Sequence, residues 1–175
     1  MKTFPALLVA ALVFSGPAFA GDFRVDSPDL AEGGTMADRQ VFNGFGCHGG
    51  NVAPALRWSG APAATKSFAV TVYDPDAPTG SGWWHWVVTD LPATASGVSG
   101  RPSAPAVEFK TDFGTPGYGG PCPPVGHGAH RYIFTVWALD VEKLPVPADA
   151  SPAMVGYNLN GHALAKATLT GRYGR

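Results

Sequence analysis

The sequence predicts a mainly β protein, an antiparallel β-sandwich with one or two helices near its C-terminus. Three observations predict it. Short alternating or β-branched runs dominate, turn residues separate them, and only one segment carries the end signals of a long helix. Seventeen prolines and 23 glycines in 175 residues punctuate the chain too often for sustained helical periods.

The first segment reads as a leader. Lys2 is the only charged side chain among residues 1–20, an apolar run extends from Phe4 to Phe14, and Gly16-Pro17 breaks it. Ala18-Phe19-Ala20 then supplies the small-x-small pattern that signal peptidase reads. Cleavage is expected after Ala20, leaving residues 21–175 as a single domain. A membrane anchor is the alternative, but spanning takes about 20 apolar residues, and this run is shorter and ends in proline. The expected location is therefore periplasmic or secreted. No later apolar stretch is long enough for a transmembrane segment, and neither an internal repeat nor a low-complexity tract is present.

Without Lys2, 11 basic side chains face 13 acidic ones. There is no basic run and no basic-aromatic stripe, which excludes nucleic acid as a partner class. The two cysteines are Cys47 and Cys122. In an oxidising compartment they read most economically as one disulfide, closing a loop of about 75 residues and contributing at most about 4 kcal/mol. Two free thiols are the alternative. Without Cys-x-x-Cys, neither a thioredoxin-like site nor a zinc ribbon is supported.

Among the strands, 67–73 alternates cleanly: Phe68, Val70 and Val72 point one way, Ala69, Thr71 and Tyr73 the other. Residues 84–91 and 132–139 are nearly continuous apolar runs rich in β-branched and aromatic residues, as expected of strands covered on both faces. Weaker strands are expected at 23–26, 55–58 and 108–111. The helix starts at Ser151, a good N-cap, with Pro152 in its first turn. Met154, Val155, Leu159, His162 and Ala163 would form its buried stripe. Gly156 and Gly161 weaken it intrinsically, so it depends on docking. A closing strand then alternates Thr168, Thr170 and Arg172 against Ala167, Leu169, Gly171 and Tyr173.

Two loops stand out. Residues 74–82, Asp-Pro-Asp-Ala-Pro-Thr-Gly-Ser-Gly, join two confident strands. Residues 113–128 form a Gly/Pro loop that holds Cys122 and leads into the strand at Tyr132. Proline stiffens both, and Gly119 and Gly120 allow close approach of backbone to a ligand. Stiff loops at strand ends are where function concentrates. They bring together Asp74 and Asp76, His85 from Trp83-Trp84-His85-Trp86, and His130-Arg131-Tyr132: carboxylates and imidazoles between Trp and Pro walls, the makings of a ligand pocket.

Each residue also has a structural reading. Asp74 and Asp76 flank prolines and suit Asx-turns. His85 between tryptophans suits a satisfied core position, and Arg131 suits pairing with a structural carboxylate. His48 and His127, each beside glycine, read as solvent-facing, and His162 as a helix residue packed on the sheet. By ligand type Asp76, His85 and His130 suit a metal, but no metal or cofactor motif accompanies them. Ser81 does not sit in a Gly-x-Ser-x-Gly elbow, so a serine nucleophile is not supported.

These residues resemble the phosphatidylethanolamine-binding protein family, in its bacterial Raf-kinase-inhibitor-like branch. The likeness rests on Tyr-Asp-Pro-Asp-Ala-Pro at 73–78, Trp-Trp-His-Trp at 83–86, Gly-Gly-Pro-Cys-Pro-Pro at 119–124 and His-Arg-Tyr at 130–132, and it extends over nearly all of 21–175. Residues 93–107 are short for a loop that members often carry there. The resemblance implies a β-sandwich with an anion pocket formed by Asp74, Ala77, Pro78, His85, Gly120, Pro123, His130 and Tyr132. It implies binding of small anions and phosphorylated head groups, with no cofactor, and in several members inhibition of kinases or proteases. Chemically, an anion asks for N–H donors from the Gly/Pro loop, the Tyr132 hydroxyl and a protonated imidazole. Asp74 would hold that imidazolium or meet an ammonium group. Binding is then expected to strengthen below about pH 6.5. The first expectation is a non-enzymatic binding protein for a small anionic or phosphorylated ligand. The alternatives are a secreted inhibitor of another protein and a hydrolase using a histidine and a carboxylate.

Overall fold

The computed structural model describes residues 22–175; the predicted leader, 1–20, and its cleavage point lie outside the described residues. In chain order the strands are β1 (Arg24–Asp26), β2 (Asn43–Gly44), β3 (Cys47–His48), β4 (Leu56–Ser59), β5 (Ser67–Asp74), β6 (Trp83–Pro92), β7 (Gly97–Val98), β8 (Val107–Glu108) and β9 (His130–Leu139). The helix α1 (Pro152–His162) and strand β10 (Ala163–Tyr173) complete the fold.

Two antiparallel sheets carry the core. The larger has the order β10-β9-β5-β6-β8 and the smaller β1-β4-β7, with β2 and β3 pairing apart as a hairpin. The alternation predicted for 67–73 divides the residues of β5 as expected. Phe68, Val70 and Val72 face the small sheet and pack with Trp58, Trp86 and Phe134. Ala69 points to the opposite face, where Val155 and Leu159 of α1 close over Val87 and Trp137. The central strands are therefore covered on both sides, which is why β6 and β9 read as unbroken apolar runs. No helix among the described residues is long and apolar enough to cross a membrane.

The helix begins as predicted, with Ser151 Oγ accepting from the Met154 N–H at 3.2 Å and Pro152 in the first turn. Its buried stripe differs. Val155, Gly156 and Leu159 face the sheet, while Met154 is exposed. Val155 and Leu159 lie four residues apart on one face, and Met154 falls about 100° away from Val155. Ala163 does not belong to the helix but opens β10, which is longer than the predicted closing strand. The strand expected at 108–111 shrinks to Val107–Glu108. The hairpin β2–β3 and the strand β7, each strand two residues long, were not expected, because so short a run has no readable period.

Candidate functional site

The face of the large sheet that carries the core ends in polar side chains. Continuing Phe68-Val70-Val72 by two places gives Asp74, and preceding Tyr132-Phe134-Val136 by two places gives His130, so both point inward by the period of a strand. His85 arrives differently. Tyr73 pairs with Trp84 and Val72 with Trp86, leaving His85 as the extra residue of a β-bulge. Bulges re-aim side chains beside functional sites, and this one aims an imidazole at the same sheet end. Asp74, His85 and His130 are all buried, yet all three line one cavity of about 220 Å³.

Hydrogen bonds fix each group. Asp74 Oδ2 lies 2.8 Å from His130 Nδ1, and Asp74 Oδ1 accepts from the Asp76 N–H at 2.8 Å. The carboxylate therefore makes the expected Asx-turn and orients an imidazole as well. As a carboxylate only accepts, the proton between the pair sits on His130 Nδ1. His127, expected in solvent, is exposed but stands with Nδ1 3.3 Å from His130 Nε2. His85 Nδ1 donates to the Gly119 carbonyl at 2.6 Å, while the His85 carbonyl accepts from the Gly119 N–H at 2.8 Å. That leaves His85 Nε2 for the cavity. Burial outweighs these hydrogen bonds and nearby carboxylates and pushes the His85 pKa down to about 4. In the free protein His85 is therefore neutral at pH 7 and offers a lone pair. The expectation of an imidazolium near pH 6.5 is corrected for this residue. Burial, with Asp74 nearby, also raises the Tyr132 pKa, so its phenol keeps its proton.

Of the residues expected in the pocket, Asp74, Ala77, Pro78, His85, Pro123, His130 and Tyr132 line the cavity. Gly120 does not. Its N–H donates to Asn51 Oδ1 at 2.8 Å, and a Cβ there would meet the Gln40 carbonyl oxygen at 2.0 Å. The glycine is required by close packing against protein backbone, not against a ligand. Because the Gly119 N–H is also spent, neither glycine supplies the expected loop donor. Asp76 turns away to Arg131, which holds it with its N–H at 2.9 Å and with Nε and a terminal nitrogen at 2.9 and 2.7 Å. That guanidinium keeps the Asp76 pKa down at about 2, and Arg131 pairs with a structural carboxylate as expected. The trio Asp76, His85 and His130 is thus not assembled.

The expected Trp and Pro walls include Trp83 and Pro124, Thr79 and Cys122 line the cavity from the two expected loops, and Phe45 and Phe113 are wall residues the sequence reading missed. Cys122 is bonded to Cys47, tying the Gly/Pro loop to the β2–β3 hairpin. Arg175 adds a second tie, donating to the carbonyls of Pro123, Gly46 and Phe45 at 2.6, 3.0 and 3.2 Å. Among the described residues no lysine or arginine lines the cavity. It is an apolar mouth over a floor of one carboxylate, two imidazoles and a phenol.

A family model described as phosphatidylethanolamine-binding protein matches residues 26–174. UPF0098 protein YbcL of Escherichia coli is 50% identical over 99% of this chain and 98% of its own. UPF0098 protein YbhB of the same organism is 51% identical over 86% of this chain and 99% of its own. The crystal structure of E. coli YbcL, described as a new member of the mammalian PEBP family, aligns with a TM-score of 0.86 at 48% identity, covering 89% of this chain and 99% of that one.

Proposed function

The chain belongs to the phosphatidylethanolamine-binding protein family, and from that premise we propose that it is an exported, non-enzymatic binding protein whose cavity receives a small phosphate-bearing or similar anion. The observation that carries this reading is the buried polar floor beneath an open apolar mouth. Burying polar groups costs stability unless they are satisfied. Here Asp74 and His130 satisfy each other, whereas His85 Nε2 and the Tyr132 hydroxyl are left toward the cavity. Export is supported by the leader pattern of residues 1–20.

Charge narrows the ligand. With no lysine or arginine in the lining, a dianion would meet no permanent positive charge. A singly charged hydrogen phosphate ester fits better, because its own O–H donates to His85 Nε2 while its other oxygens accept from the Tyr132 hydroxyl. Ala77, Pro78 and Pro123 exclude water from these bonds and so raise their worth. Asp74 holds His130 in one tautomer and faces any ammonium group the ligand carries.

Isothermal titration with inorganic phosphate and phosphorylethanolamine at pH 6 tests this. The protein should bind at least one of them. His85→Ala and His130→Ala should each weaken binding tenfold or more, about 1.4 kcal/mol. Absence of binding to either anion, or unchanged affinity in both variants, would refute it.

A further inference from the structure

Phe45 has no role in the floor chemistry, yet the fold holds it at a cost. It sits with Gly46 in the two-residue turn between β2 and β3, and both have positive φ, +52° and +80°. Such turns favour Asn or Asp before Gly, and a bulky side chain at positive φ is an outlier that persists only where its surroundings enforce it. The surroundings do so here. Arg175 grips the carbonyls of Phe45 and Gly46, and the next residue, Cys47, is bonded to Cys122. Phe45 nevertheless stays 67% exposed. It stacks on Phe113 with ring centroids 5.8 Å apart and planes 14° apart, and Trp83 meets Phe113 edge-on at 5.5 Å. All three rings line the cavity above its polar floor.

We infer that Phe45 is a specificity-determining lip that selects anionic ligands carrying a small apolar substituent next to the charged group. The inference rests on the reading of the floor as an anion site. An ester bound there by its phosphate leaves the floor with its organic arm directed to the mouth, where the exposed Phe45 ring and the edge of Phe113 are available to cover it. Inorganic phosphate has no arm and gains nothing from the lip. A cavity of about 220 Å³ is below the usual range for drug-sized ligands, roughly 300–1,000 Å³. It suits a soluble ester with one short aliphatic or aromatic arm, not a two-chain lipid.

The test compares inorganic phosphate with phenyl phosphate by isothermal titration at pH 6, on the unmodified protein and on Phe45→Asn. Asparagine accepts positive φ, so that variant keeps the turn, and its thermal midpoint should be unchanged or higher. The unmodified protein should bind phenyl phosphate about tenfold more tightly than phosphate, the order expected for an apolar ring covered by aromatic partners. Phe45→Asn should abolish that preference while leaving phosphate affinity within about threefold. Equal affinity of the unmodified protein for the two ligands, or a preference that survives in Phe45→Asn, would overturn the lip while leaving the floor intact. If the unmodified protein binds neither anion, the anion-site reading fails first and the lip fails with it.

Discussion

Lowering the pH from 7 to 5 should destabilise this protein through His85 alone by an amount the structure fixes. In the unfolded chain an imidazole takes up its proton near pH 6.5, whereas the folded protein holds His85 neutral down to about pH 4. A group with a depressed folded-state pKa that is uncharged when deprotonated weakens folding as pH falls through the unfolded value, because only the unfolded chain binds the proton. At 1.36 kcal/mol per pH unit, the loss is roughly 2 kcal/mol by pH 5 and roughly 3 kcal/mol near pH 4. The assay is urea unfolding of the oxidised protein at pH 7 and pH 5, alongside His85→Gln. The glutamine amide still donates to the Gly119 carbonyl but does not titrate. The other histidines are common to both proteins and cancel in the comparison, and Asp76, with its pKa near 2, titrates in a separate, more acid window. The stability of the unmodified protein relative to the variant should fall by roughly 2 kcal/mol over this interval. A difference that stays constant with pH would refute the placing of His85 as a neutral lone-pair donor. The same protonation state shapes ligand binding. A phosphomonoester brings its own proton, so its affinity should be level from about pH 4 to 6 and fall about tenfold per unit above its second pKa near 6.

Two further perturbations probe how the site is held. Replacing Cys47 and Cys122 together by serine should cost up to about 4 kcal/mol in urea unfolding and reduce the preference for phenyl phosphate more than the affinity for phosphate, since the bond holds the lip directly and the floor only through the loop that carries Gly119. Asp74→Ala should cost about 1–3 kcal/mol, because it leaves the buried Nδ1–H of His130 and the Asp76 N–H without an acceptor, whereas Arg131→Ala should cost much less, its ion pair with Asp76 being partly exposed. Arg131→Ala should also reduce the part of the acid sensitivity lying between pH 3.8 and about 2, leaving what the retained main-chain N–H supports, since Asp76 stabilises the fold above its unfolded pKa and loses that contribution as pH falls through the lowered one.

The central strands and the helix start were legible because their signals are long or chemically sharp. Six alternating residues, 68–73, phase β5, and Ser151-Pro152 marks the helix entry. Asp74 was legible for the same reason, since it stands in phase with the apolar residues of β5, whereas His130 was legible from its place where the Gly/Pro loop enters its strand. The aim of His85 was not, because a bulge breaks the alternation, and a run of Trp-Trp-His-Trp-Val-Val has no alternation to break. Gly120 was misplaced because a glycine needed for contact with protein leaves the same mark as one needed for contact with ligand. Phe45 was missed although its signal was partly present. Glycine flanks it on both sides, and Cys47 lies two residues on. Reading the disulfide together with that turn would have brought Phe45 to the loop of Cys122.

Floor and lip are held by different means, and this separation bears on what such a site can vary. The floor belongs to three neighbouring strands of the large sheet. Asp74 and His130 are paired in a buried position, and His85 is pinned at a bulge by both its side chain and its main chain. Truncating Asp74 or His130 leaves a buried polar group without its partner, at about 1–3 kcal/mol, so the floor resists substitution. The lip belongs to a hairpin outside both core sheets, held to the Gly/Pro loop by a covalent bond and by the Arg175 fork onto main-chain carbonyls. None of those ties uses the Phe45 side chain. A different residue at position 45 therefore leaves the lip anchored and the floor untouched, while altering the surface that meets the organic arm of a ligand. On the reading proposed above, the demand for an anion would lie with the floor and the choice among anions with one exposed ring.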